Sequence, residues 1–112
     1  MSTMIGGLSH EEFWVSYLIN SNAIVSKFQL SKGGITATVV DLRLIFKKAI
    51  ELGSVAVILV HNHPSGTIQP SRADCSVTKK LQSAASILEI KVLDHLIVKE
   101  KTYFSFADEN LL

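Results

Sequence analysis

The sequence predicts an α/β (α+β) domain, with a single mixed β-sheet packed against two main helices. Three observations point to it. The run Val55-Ala56-Val57-Ile58-Leu59-Val60 has no polar face, as a strand covered on both sides requires. Two stretches, opened by the capping residues Asp41 and Ser71, repeat apolar residues at helical spacing. Two further pairs of short alternating runs are each separated by a polar turn, as in hairpins.

In chain order, Met1 to Ser9 has no periodicity and contains Gly6-Gly7, so it reads as a loose lead-in to a domain covering 10–112. Glu11 to Ile19 is aromatic and β-branched with period two, which argues strand. Asn20-Ser21-Asn22 is a turn, and Ala23 to Leu30 returns as a second strand that Gly33-Gly34 breaks. Ile35 to Val40 is a short β segment. Asp41 then caps a helix running to about Leu52, with Leu42, Ile45, Phe46, Ala49 and Ile50 on one face, Lys47 and Lys48 solvated opposite, and Gly53 closing it. After the central strand comes a helix from Ser71 to about Leu88, with Val77, Leu81, Ala84, Ala85 and Leu88 inward. Lys91 to Val98 and Thr102 to Phe106 form a hairpin around Glu100-Lys101, and 107–112 is a terminal turn or short helix.

Bulk properties narrow the function. The chain has 112 residues, enough to bury a core without disulfides, and its single cysteine, Cys75, excludes an internal disulfide. One thiol, no membrane-length apolar run and no basic-then-apolar leader suggest the cytoplasm. A net charge of +1, without a dense Lys/Arg cluster, argues against this domain gripping nucleic acid by phosphate neutralisation.

The chemistry concentrates where the central strand ends, at His61-Asn62-His63-Pro64-Ser65-Gly66, followed by Gln69-Pro70-Ser71-Arg72-Ala73-Asp74. Residues i and i+2 of a strand share a face, so His61 and His63 can aim both imidazoles at one point. Asp74, in the first turn of the next helix, can bring a carboxylate oxygen to that point. Two nitrogens and one oxygen leave a fourth tetrahedral position for water, the ligand count of a catalytic rather than a structural zinc. An isolated His-x-His pair is more simply two hydrogen-bonded side chains. The longer pattern of His-x-His-Pro, six residues, Ser, two residues and Asp is much narrower. Hydrolysis would also need a carboxylate to move the water's proton, and the candidates are Glu11 and Glu12. Adjacent strand residues face opposite ways, so only one of the two can serve.

These residues resemble the JAMM (MPN+, JAB) metallopeptidase motif, and the wording from His61 to Gly66 is similar to its RadC branch. The likeness extends through Pro70 to Asp74, Val92 to Val98 and Tyr103 to Glu109, nearly the whole chain from about Glu11. The resemblance implies a JAMM/cytidine-deaminase-like sandwich. It also implies one Zn2+ held by His61, His63 and Asp74, with a bound water, and Glu11 as the acid/base. Ser71 reads locally as a helix cap, and Ser71-x-x-Asp74 looks like a capping box. A metal-bound Asp74 is not expected to fold back fully as the box partner. In the family pattern the matching serine also holds the oxyanion of the tetrahedral intermediate. Asn62 departs from the Ser or Thr of the deubiquitinating relatives, which puts ubiquitin-directed specificity in doubt. Relatives often carry a helix-hairpin-helix region that this chain lacks, so a short family member or a fragment is expected.

The expected function is zinc-dependent hydrolysis of a peptide or isopeptide bond in a peptide or protein substrate. RadC-type proteins also carry a historical DNA-repair label, and the alternative is a non-catalytic DNA-associated or protein-interaction module with a structural or absent metal. An HNH nuclease is discounted, because that label describes residues spread over a ββα unit. His95, inside an apolar strand, reads as a core or supporting histidine, His10 as a solvated strand lead-in, and Cys75 as a packing residue.

Overall fold

The computed structural model describes residues 12–20, 23–32, 41–62, 68–99 and 101–112. Among the described residues, five strands and two helices follow one another as β1 (Glu12–Leu18), β2 (Ile24–Lys32), α1 (Leu42–Leu52), β3 (Ala56–Asn62), α2 (Arg72–Ile87), β4 (Lys91–Lys99) and β5 (Thr102–Ser105). The sheet order is β2-β1-β3-β4-β5. Only β3 and β4 run parallel, joined by α2 as a β-α-β unit, and every other neighbouring pair is antiparallel. This is the mixed sheet with two helices that the patterning predicts. The expected lead-in at 1–9, the β segment at 35–40 and the turn at Ser21-Asn22 lie outside the described residues.

Strand parity divides the sheet into two faces. Phe13, Val15 and Tyr17 of β1 lie opposite His61, Leu59 and Val57 of β3, and these residues share one face. Ile45, Phe46 and Ala49 of α1 and Val77, Leu81 and Ala85 of α2 pack on that face and form the main core. A smaller cluster of Trp14, Ile58, Val60, Leu96 and Val98 lies on the other face. The central strand is therefore apolar on both sides because each side has partners.

Two helix ends depart from the spacing. Ile50 is 64% exposed, because it sits about 90° round the helix from the centre of the buried stripe, where the sheet no longer covers it. Leu88 is also exposed, since it is already the C-cap residue where the chain turns away. Lys48, expected on the solvated face, is half-buried at the stripe's edge. Gly53 ends α1 in the left-handed region (φ 67°), and its N–H reaches the carbonyls of Ala49 and Ile50. The Tyr17 hydroxyl donates to the Ile45 carbonyl at 3.0 Å, tying α1 to β1. No helix among the described residues is long and apolar enough to cross a membrane.

Candidate metal centre

In sheets with parallel strands, sites gather where a strand's carboxyl end meets the N-terminus of the following helix. Here that place is the end of β3, which carries His61, and the first turn of α2, which carries Asp74. The two side chains meet with His61 Nε2 and Asp74 Oδ1 3.1 Å apart. Both are buried, at 0% and 1% exposure.

Asp74 also closes the start of α2. Its Oδ2 accepts from the Ser71 backbone N–H at 2.8 Å, while the Ser71 Oγ accepts from the Asp74 N–H at 3.1 Å. The capping box that Ser71-x-x-Asp74 suggested is thus complete. The two carboxylate oxygens divide the tasks, Oδ2 closing the cap and Oδ1 facing His61. Ser71 is the N-cap itself, one residue before the helix begins.

Behind His61 lies a polar chain inside an aromatic stack. His61 Nδ1 is 2.8 Å from His95 Nε2, and His95 Nδ1 is 2.6 Å from Thr78 Oγ1. Thr78 Oγ1 in turn donates to the Asp74 carbonyl oxygen at 3.0 Å. Phe13 stacks on His61 and Phe106 on His95, each with ring centroids 4.4 Å apart. Apolar rings on both outer sides keep the imidazoles dry and fixed in orientation. His95 is fully buried, the supporting histidine that its apolar strand suggested. Sequence reasoning missed Thr78, although its spacing of one helical turn from Asp74 places it on the same inward face.

Glu12 does not share this face. It alternates with Phe13, and its Oε1 accepts from the Trp14 indole N–H at 3.0 Å on the opposite side of the sheet. Asn62, next to His61, also points away from it, and its Oδ1 accepts from the Glu12 backbone N–H at 2.6 Å. The asparagine between the two histidines thus fastens the start of β1 to the end of β3. Cys75 is a free, half-buried thiol on α2.

The structure brings together His61, Asp74 and Ser71. His63 and Glu11, like His10, lie outside the described residues. Among the described residues, no group of three His, Cys, Asp or Glu side chains is placed to hold a metal ion. The donor pair nevertheless fits zinc. Bond lengths of about 2.0–2.2 Å put neighbouring ligand atoms of a tetrahedron roughly 3.3–3.5 Å apart, within a few tenths of the observed separation. His61 also meets a donor pair's other requirement, because its second ring nitrogen already has a partner, as in most metal-bound histidines.

The likeness to known proteins covers the whole fold. The family model of the RadC-like JAB domain matches residues 1–111. A UPF0758 protein of Flavobacterium johnsoniae is 56% identical over 111 residues, covering 99% of this chain and 48% of that protein. Another from Porphyromonas gingivalis is 46% identical over 113 residues, covering 100% of this chain and 50% of that protein. UPF0758 protein YeeS of Escherichia coli is 44% identical over 108 residues, covering 96% of this chain and 73% of that protein. The chain therefore spans about half the length of the first two. With its five-stranded mixed sheet, its paired His61 and Asp74, and a family match from one end to the other, this chain belongs to the RadC-like JAB domain family.

Proposed function

We propose that this domain is a zinc-dependent hydrolase that cleaves a peptide or isopeptide bond in a peptide or protein substrate. One observation carries the reading: a buried imidazole nitrogen and a buried carboxylate oxygen converge at 3.1 Å, where β3 ends and α2 begins. In this reading His61, His63 and Asp74 hold the ion. A bound zinc supplies Lewis acidity towards water and towards an amide carbonyl.

The remaining roles belong to the protein. Glu11 accepts the proton of the attacking water on its carboxylate and delivers it to the leaving amine nitrogen. Glu12, bonded to Trp14 on the other face of the sheet, leaves this role to its neighbour. The Ser71 oxygen accepts the Asp74 N–H with a lone pair, so its own hydrogen remains for a developing oxyanion, and the cap and the catalytic contact are compatible. The stacked Phe13 and Phe106 hold the site dry, which strengthens each of these interactions. The single thiol supports a cytoplasmic setting, and a net charge of +1 supports a protein rather than a nucleic-acid substrate.

The test is metal content set against activity. Wild type is expected to bind one zinc per chain and His63→Ala to lose it. Glu11→Ala should keep the metal while losing hydrolysis of a library of internally quenched peptides. Equal zinc content in wild type and His63→Ala would overturn the proposal and favour a non-catalytic interaction module.

A further inference from the structure

A groove of about 470 Å³ opens along the solvent-facing side of α2. It begins at Ser71, whose backbone N–H holds Asp74 Oδ2, so one end of it lies at the proposed metal centre. Arg72, Ser76, Lys79 and Lys80 line it further along, all exposed and at helical spacing. Asp74, Val77, Thr78 and Leu81, between them in sequence, are buried on the other side of the helix. The groove thus has three cations, and they lack counterions. Arg72, Lys79 and Lys80 form no ion pair with any described residue. No Asp or Glu stands three or four residues from any of them in the sequence, the spacing at which a helix neutralises such charges. Helices are stabilised by cations in the last turn, where α2 has none, and not by an arginine that opens the first. Adjacent surface lysines are often no more than a solvated face. Here they share one concavity with Arg72, and that concavity leads to the site.

We infer that this groove binds an acidic peptide segment and, resting on the hydrolase reading, selects substrates with Asp or Glu side chains on one side of the cleaved bond. Its length sets the reach of that selection. Arg72 to Lys80 spans about 12 Å of helix at 1.5 Å per residue. An extended peptide covers that distance in about four residues, so the acidic side chains lie within that many positions of the bond. Nucleic acid is the other polyanion that such charge attracts. Bases stack on aromatic side chains, and among the described residues none lines the groove. A net charge of +1 over the whole chain also gives no wider basic field along which a phosphate backbone could run.

Fluorescence anisotropy of short labelled peptides on the zinc-free full chain measures binding without turnover and keeps peptide carboxylates off any metal. A peptide with a Glu-Glu-Glu run should bind about 10-fold tighter than its Gln-Gln-Gln counterpart, since exposed ion pairs are weak singly and three act together. Added salt should erase the difference. The triple variant Arg72→Gln/Lys79→Gln/Lys80→Gln, with its fold checked by circular dichroism, should lose the preference. Lys79→Glu/Lys80→Glu should turn it towards a Lys-Lys-Lys peptide. Equal binding of the Glu and Gln peptides by wild type, or a preference that survives in the triple variant, would overturn the inference. So would tighter binding of a single-stranded oligonucleotide of equal charge, lost in the triple variant, which would assign the groove to nucleic acid. In the zinc-loaded chain, the triple variant should lower kcat/KM for internally quenched Glu substrates about 10-fold, through KM, and an equal loss on Gln substrates would overturn the inference. A binding preference without hydrolysis of any peptide would sink the hydrolase reading alone. Hydrolysis indifferent to acidic residues would sink the groove alone.

Discussion

At the scale of single residues, burial makes one side chain a pH sensor far from the site. Tyr17 is fully buried in the main core, and desolvation pushes its phenol from the ordinary 10.0 up to about 12. Because the folded value lies above the unfolded one, the folded state binds more protons between the two values. The stabilising contribution is then complete below about pH 10 and is lost as pH rises towards about 12. Denaturant unfolding midpoints should fall across that window in wild type. In Tyr17→Phe, which also loses the bond to the Ile45 carbonyl, the fall should be smaller, and an equal fall would assign the alkaline sensitivity to other groups. The residues of the candidate site were unevenly legible. His61 and Asp74 could be read from spacing, since strand ends and first helical turns have fixed side-chain directions. The same spacing puts Thr78 on the inward face, but its part could not be read until its neighbour on the sheet was known.

Among the elements, α2 has the most at stake at its first turn. Its capping box satisfies two end groups and fixes the orientation of Asp74. Ser71→Ala removes one of those bonds and should lower stability by about 1 kcal/mol, read from chemical denaturation. Zinc content should be unchanged, since Asp74 Oδ2 still has the Ser71 backbone N–H. A change in metal stoichiometry would mean that the serine hydroxyl, not the backbone, aligns the carboxylate. Strands and helices were legible to within a residue or two, because cap residues, Gly53 and the alternation of β1 are local signals. The exposed faces at Ile50 and Leu88 were not, because which rim of a helix the sheet covers depends on tertiary packing.

For the molecule as a whole, the far edge of the sheet is held by one carboxylate. Asp94 Oδ1 accepts from the backbone N–H groups of His95 and Ala107, at 2.8 and 3.0 Å, and Oδ2 accepts from the Ser105 hydroxyl at 2.6 Å. It thereby fastens β5 and the segment carrying Phe106 against β4. Asp94→Ala should cost roughly 2–3 kcal/mol, within the usual range for losing hydrogen bonds to a charged group, and unfolding in urea measures it. A cost below about 0.5 kcal/mol, typical of a neutral surface change, would show that the edge stands without it. The strand order itself was not legible, since a parallel β3–β4 pair within an otherwise antiparallel sheet is decided by where α2 crosses. The loop of bonds that leaves Asp74 and returns to it has a mechanical corollary. A one-residue slip of the crossover helix along the sheet would sever both attachments together, so helix and strands are keyed to a single alignment. Partial misalignment is penalised twice, and the domain should lock into place as one cooperative step rather than drift.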